Sequence, residues 1–361
     1  MQTPIPCCLM RGGSSKGLYF KADDLPTDSE QRDRVLVAAM GADSRQIDGG
    51  GGAHPLTSKV AIISPSLSDD ADIDYLFVQV VVGEGRVDTT PNCGNMLAGV
   101  GPFAIETGLF EAQDPETSVR IRMLNSGNLC ELRILTPAGV VNYSGDAAID
   151  GVPGTAAPIT CNYLDVAGSV SGSLLPTGNV VDEFDGILAT CIDNGMPVVV
   201  LRAADFGRTG YESCAELDAD TELKNRLESI RLQAGPLMNL GDVTKKVVPK
   251  MSLIAPPRAG GHVSTRTFIP HDCHAAIGVL GAVSVATACI LPGSVADGIA
   301  TVPSGAIKQM SVEHPSGEFS VTLEIGGTAA APTVLKAGLL RTARMIMQGE
   351  VLIPSSVWSG K

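Results

Sequence analysis

Residues 90–105 read Thr90-Pro91-Asn92-Cys93-Gly94-Asn95-Met96-Leu97-Ala98-Gly99-Val100-Gly101-Pro102-Phe103-Ala104-Ile105, a polar turn that delivers a thiol to a segment without one charge. As a helix, that segment would be buried on every side, so the fold has to wrap around it. Its flanks suit the wrapping. Residues 72–87 carry the β-branched and aromatic bias of strands, and residues 119–135 alternate around the turn Asn125-Ser126-Gly127-Asn128. A thiol at a helix start faces unpaired backbone N–H groups and the positive end of the helix dipole, which suits a nucleophile or proton acceptor and binds anions. The alternative for Cys93 is a buried structural thiol, since free cysteine is among the most buried residue types.

The pattern returns half a chain later. Arg266-Thr267-Phe268-Ile269-Pro270-His271-Asp272-Cys273-His274 leads from a strand through a proline to a cysteine, and the charge-free residues 275–291 follow. Aligning Cys273 with Cys93 also pairs Gly281 with Gly101. This predicts a duplicated domain, divided into residues 1–180 and 181–361, with two buried helices aiming their N–H groups at one anion site. The donors would be Gly94 and Asn95 in the first half and the backbone near His274 and Ala275 in the second.

The bulk properties limit the partners. With 361 residues and 44% hydrophobic content the chain can build packed cores, and a formal charge of −13 argues against nucleic acid or an anionic membrane surface. Nine cysteines, an odd number without zinc-spaced pairs, suggest reduced cytoplasmic thiols. The first residues have neither the basic region nor the apolar core of a signal peptide, and residues 275–291 are too short to span a bilayer. His271, Asp272, Cys273 and His274 are consecutive and do not converge on one tetrahedral ion, so no metal is expected.

Two further segments carry chemistry. Arg11-Gly12-Gly13-Ser14-Ser15-Lys16-Gly17 concentrates cations, hydroxyls and glycines in a tight loop between strands, a donor set for a carboxylate or phosphate. Its alternative is a solvated hairpin turn. Lys59 stands at the mouth of the strand Val60-Ala61-Ile62-Ile63, after the loop Gly49-Gly50-Gly51-Gly52. There an ammonium is either a solvated strand end or an acid or base lowered into a cleft. Residues 28–40 and 217–240 read as amphipathic helices, 146–158 as a linker or long loop, and 333–347 as a last helix carrying Arg341-Thr342-Ala343-Arg344.

A thiol, a lysine and a donor-rich loop suit proton movement on a carboxylate substrate. One group removes a proton, the other returns it elsewhere on the conjugated system, and fixed donors hold the enolate-like charge between the two steps.

Met10-Arg11-Gly12-Gly13-Ser14-Ser15-Lys16-Gly17, Leu56-Thr57-Ser58-Lys59-Val60-Ala61, Asn92-Cys93-Gly94-Asn95 and Arg341-Thr342-Ala343-Arg344 together resemble the PrpF family of cofactor-independent isomerases over nearly the whole chain. Within it, the first motif and Gln46-Ile47-Asp48-Gly49 are most similar to the tautomerases of 4-oxalomesaconate in aromatic-acid breakdown. Methylaconitate and methylitaconate isomerases are close relatives. The resemblance implies an α+β, diaminopimelate epimerase-like fold: two pseudo-symmetric domains, each an antiparallel barrel-like sheet around a central helix, with the tail from about 331 packing back on the first. It implies Cys93 and Lys59 as the acid–base pair, Cys93 taking the proton and Lys59 delivering it. Arg11, Ser14, Ser15, Lys16, Ser58, Asn92, Gly94, Asn95, Met196, Arg266, His274 and Ser316 are then expected to bind a small polycarboxylate, without cofactor, in a cytoplasmic homodimer. One departure is Gly195-Met196-Pro197-Val198, where amino-acid epimerases carry an asparagine before the proline. Three rivals remain: a methylaconitate- or methylitaconate-type isomerase, a two-thiol racemase or epimerase using Cys93 and Cys273, and a non-catalytic polycarboxylate receptor.

Overall fold

The computed structural model describes residues 1–90, 92–164, 167–328 and 331–360, with backbone alone at 331 and 332; Pro91 of the opening stretch lies outside the described residues. The chain divides into two units, Met1–Leu164 with Leu340–Lys361, and Asp165–Leu339. The break therefore comes earlier than the expected 180/181, and the tail that joins the first unit starts at Leu340 rather than near 331.

Unit 1 begins with the hairpin β1 (Gln2–Gly12) and β2 (Ser15–Lys21), followed by helix α1 (Ser29–Met40). Next come β3 (Lys59–Pro65), β4 (Ile73–Val81) and the short β5 (Arg86–Asp88). The charge-free segment forms α2 (Gly94–Leu97) and α3 (Val100–Glu106), and β6 (Glu116–Met123), β7 (Leu129–Leu135) and β8 (Ile159–Leu164) complete the first pass. The buried face of α1 (Val35, Leu36, Ala39, Met40) packs with Leu18, Phe20, Val60, Ile62, Val78 and Val80. The α2–α3 pair packs against β1, β2, β3 and β7.

Unit 2 contains β9 (Asp182–Phe184), β10 (Ile187–Asp193), β11 (Pro197–Arg202), α4 (Cys214–Ala219), α5 (Thr221–Leu237), β12 (Lys250–Ala255) and β13 (Val263–Phe268). After them come α6 (Val279–Ile290), β14 (Ile307–His314), β15 (Gly317–Thr328) and β16 (Ala331–Arg341). The final strand, β17 (Ala343–Pro354), pairs with β1.

The duplication is written in the strand pairing. In unit 1, β1–β2 is antiparallel, β2–β3 parallel, β3–β4 antiparallel, β4–β6 parallel, and β6–β7 and β7–β8 antiparallel. Unit 2 repeats those senses in order for β10–β11, β11–β12, β12–β13, β13–β14, β14–β15 and β15–β16. A parallel pair needs a crossover. The helices fill that role: α1 and α4–α5 bridge the first parallel pair of each series, and α2–α3 and α6 bridge the second. The expected α+β architecture with a central helix per unit is observed, but its sheets are mixed rather than purely antiparallel.

Three local expectations fail for identifiable reasons. Residues 333–347 form parts of β16 and β17, not a helix. In β16 exposed Leu335 gives way to buried Ala337 and Leu339, and β17 satisfies the free edge of β1, so tertiary pairing overrides helix propensity. Residues 96–105 form two short helices instead of one. Finally, α6 starts at Val279, several residues after Cys273, because Gly278 is still extended (φ −66°, ψ 147°).

Candidate active site

Cys93 is held from three directions. The β6–β7 turn supplies Asn125, whose amide accepts from Phe77 N at 2.8 Å and donates to the carbonyls of Phe77 (2.9 Å) and Thr89 (2.7 Å), pinning the approach to Cys93 against β4. The Cys93 carbonyl accepts from Leu97 N at 3.1 Å and from the Tyr75 hydroxyl at 3.3 Å. A second phenol, Tyr19, donates to the Met96 carbonyl at 2.7 Å. Burial first, and then the charge of Cys93, pushes both phenols well above their ordinary range, so they stay protonated and can only donate to these carbonyls. Cys93 is extended (φ −134°, ψ 97°) and its sulfur caps no backbone group. It meets Lys59 Nζ instead, at 3.2 Å.

Lys59 opens β3, paired in parallel with Gly17 and antiparallel with Gln79. Its ammonium lies 5.5 Å from the centroid of the Phe77 ring, and the residue is 8% exposed. The adjoining glycine loop is organised by buried Gln46, whose carbonyl accepts from Ser58 Oγ at 2.5 Å and from Ala53 N at 2.9 Å. Ser58, expected on substrate, is fully buried, and its hydroxyl lies against Gln46 and the His54 carbonyl. It holds the loop.

The donor-rich hairpin meets α2. Asn95 Nδ2 lies 3.1 Å from Ser14 Oγ and 3.5 Å from Ser15 Oγ. Gly13 is left-handed (φ 53°), and a Cβ there would lie 2.4 Å from Asn95 Oδ1, so only glycine fits. Arg11 Nη1 donates to Gly13 O (2.8 Å), Thr342 O (3.0 Å) and Thr342 Oγ1 (2.9 Å), which ties the hairpin to the C-terminal strand. The N–H groups of Gly94, Asn95 and Met96 have no acceptor among the described residues. Asn92 is exposed beside them, and Lys16 is half-buried. Lys59, Cys93, Gly94, Asn95, Ser14, Ser15 and Arg11 thus form one chain of contacts within unit 1.

Met196, Arg266, His274 and Ser316 all belong to unit 2. The Met196 carbonyl accepts from Ser284 Oγ on α6 at 2.7 Å. Buried Arg266 gives its Nε to Glu212 O (2.6 Å) and Nη1 to Thr265 O (2.8 Å). Ser316 Oγ donates to Ala275 O at 2.6 Å. Of the donors expected near His274 and Ala275, His274 N is spent on Thr267 O (2.8 Å), and the neighbouring Cys273 N on Asp218 Oδ1 (2.6 Å). These bonds belong to the extended segment that replaces the expected helix start. Cys273 packs with Cys214, and burial pushes its thiol up to about 12.

Tyr19, Tyr75 and Phe77 escaped the reading of the sequence as site-shaping residues, and Gln46 and Asn125 were read only as parts of a motif and a turn. A tyrosine within a strand carries one usable signal, since its buried hydroxyl must find a partner.

The family described as PrpF protein matches residues 2–354. A 4-oxalomesaconate tautomerase of Pseudomonas putida is 58% identical over 362 residues, 99% of each chain. A (4E)-oxalomesaconate Delta-isomerase of Novosphingobium sp. strain KA1 is 58% identical over 349 residues, 96% of this chain and 97% of its own. The crystal structure of a methylitaconate-delta-isomerase superposes with a TM-score of 0.87 at 34% identity, over 100% of this chain and 98% of that one. Since the match runs from β1, which presents Arg11, through β17, which pairs with it, and takes in Lys59 and Cys93 on the way, the chain belongs to the PrpF family.

Proposed function

We propose that this chain is an isomerase that moves a proton on an unsaturated keto tricarboxylate, 4-oxalomesaconate, with Lys59 and Cys93 as its acid–base pair. The observation that carries the reading is the 3.2 Å contact between these two buried groups, in a chain 58% identical to two enzymes named for oxalomesaconate.

The substrate carbon between ketone and double bond is acidic because its anion is delocalised over both. Cys93, as thiolate, takes that proton and becomes a thiol, and negative charge moves onto the ketone oxygen. Gly94 N–H, Asn95 N–H and the Ser14 and Ser15 hydroxyls are the donors at hand for it; one such donor is worth about 2.7–4 kcal/mol in acyl transfer. Lys59 then gives its proton either to oxygen, making the enol, or to the far carbon, completing an allylic shift. The resulting amine and thiol stand at hydrogen-bond distance, so a proton passing from sulfur to nitrogen restores the pair. No electron leaves the substrate, so the cycle balances without a cofactor. Arg11 and Lys16 bind carboxylates.

The deciding experiment is NMR in D2O with 4-oxalomesaconate against methylaconitate and methylitaconate, the second reading being favoured by the 0.87 superposition. Deuterium entering oxalomesaconate fastest supports the proposal. Faster exchange of either methyl acid favours that isomerase instead, and binding without exchange favours a receptor. Cys93→Ser and Lys59→Met lose exchange at different carbons; inversion of a chiral acid abolished by Cys273→Ser would point to a two-thiol racemase. The reading extends to a cytoplasmic homodimer in aromatic-acid breakdown. All nine thiols are free, which supports a reducing compartment, and sedimentation tests the dimer. Among the described residues no helix is long and apolar enough to cross a membrane.

A further inference from the structure

The motif Arg341-Thr342-Ala343-Arg344 has so far supplied only Thr342, which anchors the hairpin. Arg344 is the direct cross-strand partner of Arg11 in the antiparallel β1–β17 pair, and Arg11 in turn faces Lys16 across β1–β2. Directly opposed residues project to the same face, so three cations stand side by side on three adjacent strands. Like charges in that arrangement repel. The Arg11 guanidinium is held below its ordinary range, first by burial and then by Arg344.

Among the described residues no carboxylate pairs with these cations. Among the described residues neither Arg344 nor Lys16 has an ion-pair or hydrogen-bond partner. A cavity of about 420 Å³ opens beside the arginines, lined also by Thr342, Tyr143, Ser144 and Thr155 and, among the described residues, by no acidic side chain, in a protein of net charge −13. Among the described residues Arg11 spends only Nη1 on protein oxygens, which fixes the plane of the guanidinium and leaves its Nε and Nη2 edge for a bidentate acceptor. A short relay of contacts links the cavity to the segment that carries Cys93: Arg11 holds the Gly13 carbonyl, and Ser14 on the same turn contacts Asn95, two residues beyond Cys93. The segment that supplies Tyr143, Ser144 and Thr155 also carries Asp146 and Asp150, neither of which lines the cavity, and it reaches the same turn, where a Cβ on Gly151 would lie 3.4 Å from that of Ser14.

We propose that Arg344, together with Arg11, forms a second carboxylate subsite in this cavity, which takes a carboxylate remote from the reacting carbons and so selects tricarboxylates over dicarboxylates. This rests on the isomerase reading above and adds to it the residue that sets substrate class. Arg344 touches no reacting atom; it supplies one charge-assisted bidentate contact that substrate and transition state share, and uniform binding of that kind appears in KM rather than kcat.

The test compares the full-length protein with Arg344→Gln and Arg344→Lys. With 4-oxalomesaconate, Arg344→Gln raises KM about tenfold to hundredfold, with kcat changing far less, and Arg344→Lys recovers part of the loss. By calorimetry, tricarballylate binding weakens by a similar factor in Arg344→Gln, while glutarate binding stays within about twofold of wild type. An unchanged KM together with unchanged tricarballylate affinity overturns the proposal, as does equal weakening for both acids. If the wild type leaves 4-oxalomesaconate unconverted, the functional reading fails on its own, and the tricarballylate and glutarate arms still decide the subsite.

Discussion

Lys59 and Lys250 hold the same place in the repeated strand series: each is the first residue of the strand that pairs in parallel with the second strand of its series, β3 on β2 and β12 on β11. Only one of them meets a thiol. Lys59 Nζ lies 3.2 Å from Cys93 Sγ, whereas the groups acting on Cys273 are Cys214, Asp218 and Arg266. The difference follows from the central helices. Cys93 directly precedes α2, while Cys273 sits in an extended bridge to Phe268 ahead of α6. Duplication kept the residue types and lost the contact.

This contrast makes Lys250 an internal control. Lys59→Met is expected to reduce turnover by about a hundredfold to ten-thousandfold, the range for removing a general acid or base. Lys250→Met should stay within about threefold of wild type, as expected for a substitution away from the reacting groups. Steady-state kinetics on both variants suffices. A loss at Lys250 equal to that at Lys59 would refute the placement of the chemistry in unit 1.

Gly17 tests how Lys59 is placed. A Cβ there would lie 1.9 Å from the Lys59 carbonyl oxygen and 2.6 Å from its carbon, both backbone atoms that cannot rotate away. Gly17→Ala must push the start of β3, so it should lower kcat severely and cost about 1–3 kcal/mol or more of stability. Gly50→Ala is the comparison, since a Cβ there would come no nearer than 3.5 Å, to the Ala39 carbonyl oxygen, an ordinary contact. Urea melts and turnover of the two variants separate the cases; normal activity in Gly17→Ala would show that Lys59 tolerates displacement.

Much of this arrangement was legible because it is local. The thiol before a charge-free segment, the lysine at a strand mouth and the hairpin of glycines, hydroxyls and cations are each readable from consecutive residues. What escaped reading depends on long-range partners. Residues 333–347 have the composition of a helix, and only the open edge of β1 makes the last of them a strand. The start of α6 was misplaced because a charge-free run does not reveal that His274 N is spent on Thr267. The partner of Ser58 was likewise not readable, since its hydroxyl lies on Gln46, twelve residues away. The Arg11–Arg344 pair is invisible without the register of β17 on β1.

Alkaline stability follows from buried thiols. Burial raises Cys7 and Cys8 from 9.0 to about 11, and Cys273 and Cys289 from 9.0 to about 12. Each folded value lies above the unfolded one, so the stabilising contribution is complete below pH 9 and is lost as pH rises toward 11 to 12. Lys250 acts in the opposite sense. Burial and Arg231 bring it from 10.5 to about 8, so its contribution improves with pH between those values. Burial raises Cys130 and Cys191 as well, so six thiols against one ammonium predict a net fall. The urea midpoint, measured under reductant, should be lower at about pH 10.5 than at about pH 8; a midpoint that holds or rises would contradict the burial argument.

Asn125 distinguishes positioning from mere filling of space. Its amide uses both polarities, accepting from Phe77 N and donating to the carbonyls of Phe77 and Thr89. Asn125→Asp preserves shape and the acceptor but turns the donor into a second oxygen facing two carbonyls. Asn125→Ala removes all three bonds without adding a charge. If the amide positions the approach to Cys93, the isosteric aspartate should be at least as damaging as alanine, with each variant costing about 1–3 kcal/mol and lowering kcat. Acidification should restore part of the aspartate variant's stability, because a protonated carboxyl can donate again, and should leave the alanine variant unimproved. Equal pH responses, or an aspartate variant with normal kcat, would mean that the segment carrying Cys93 holds its place without Asn125.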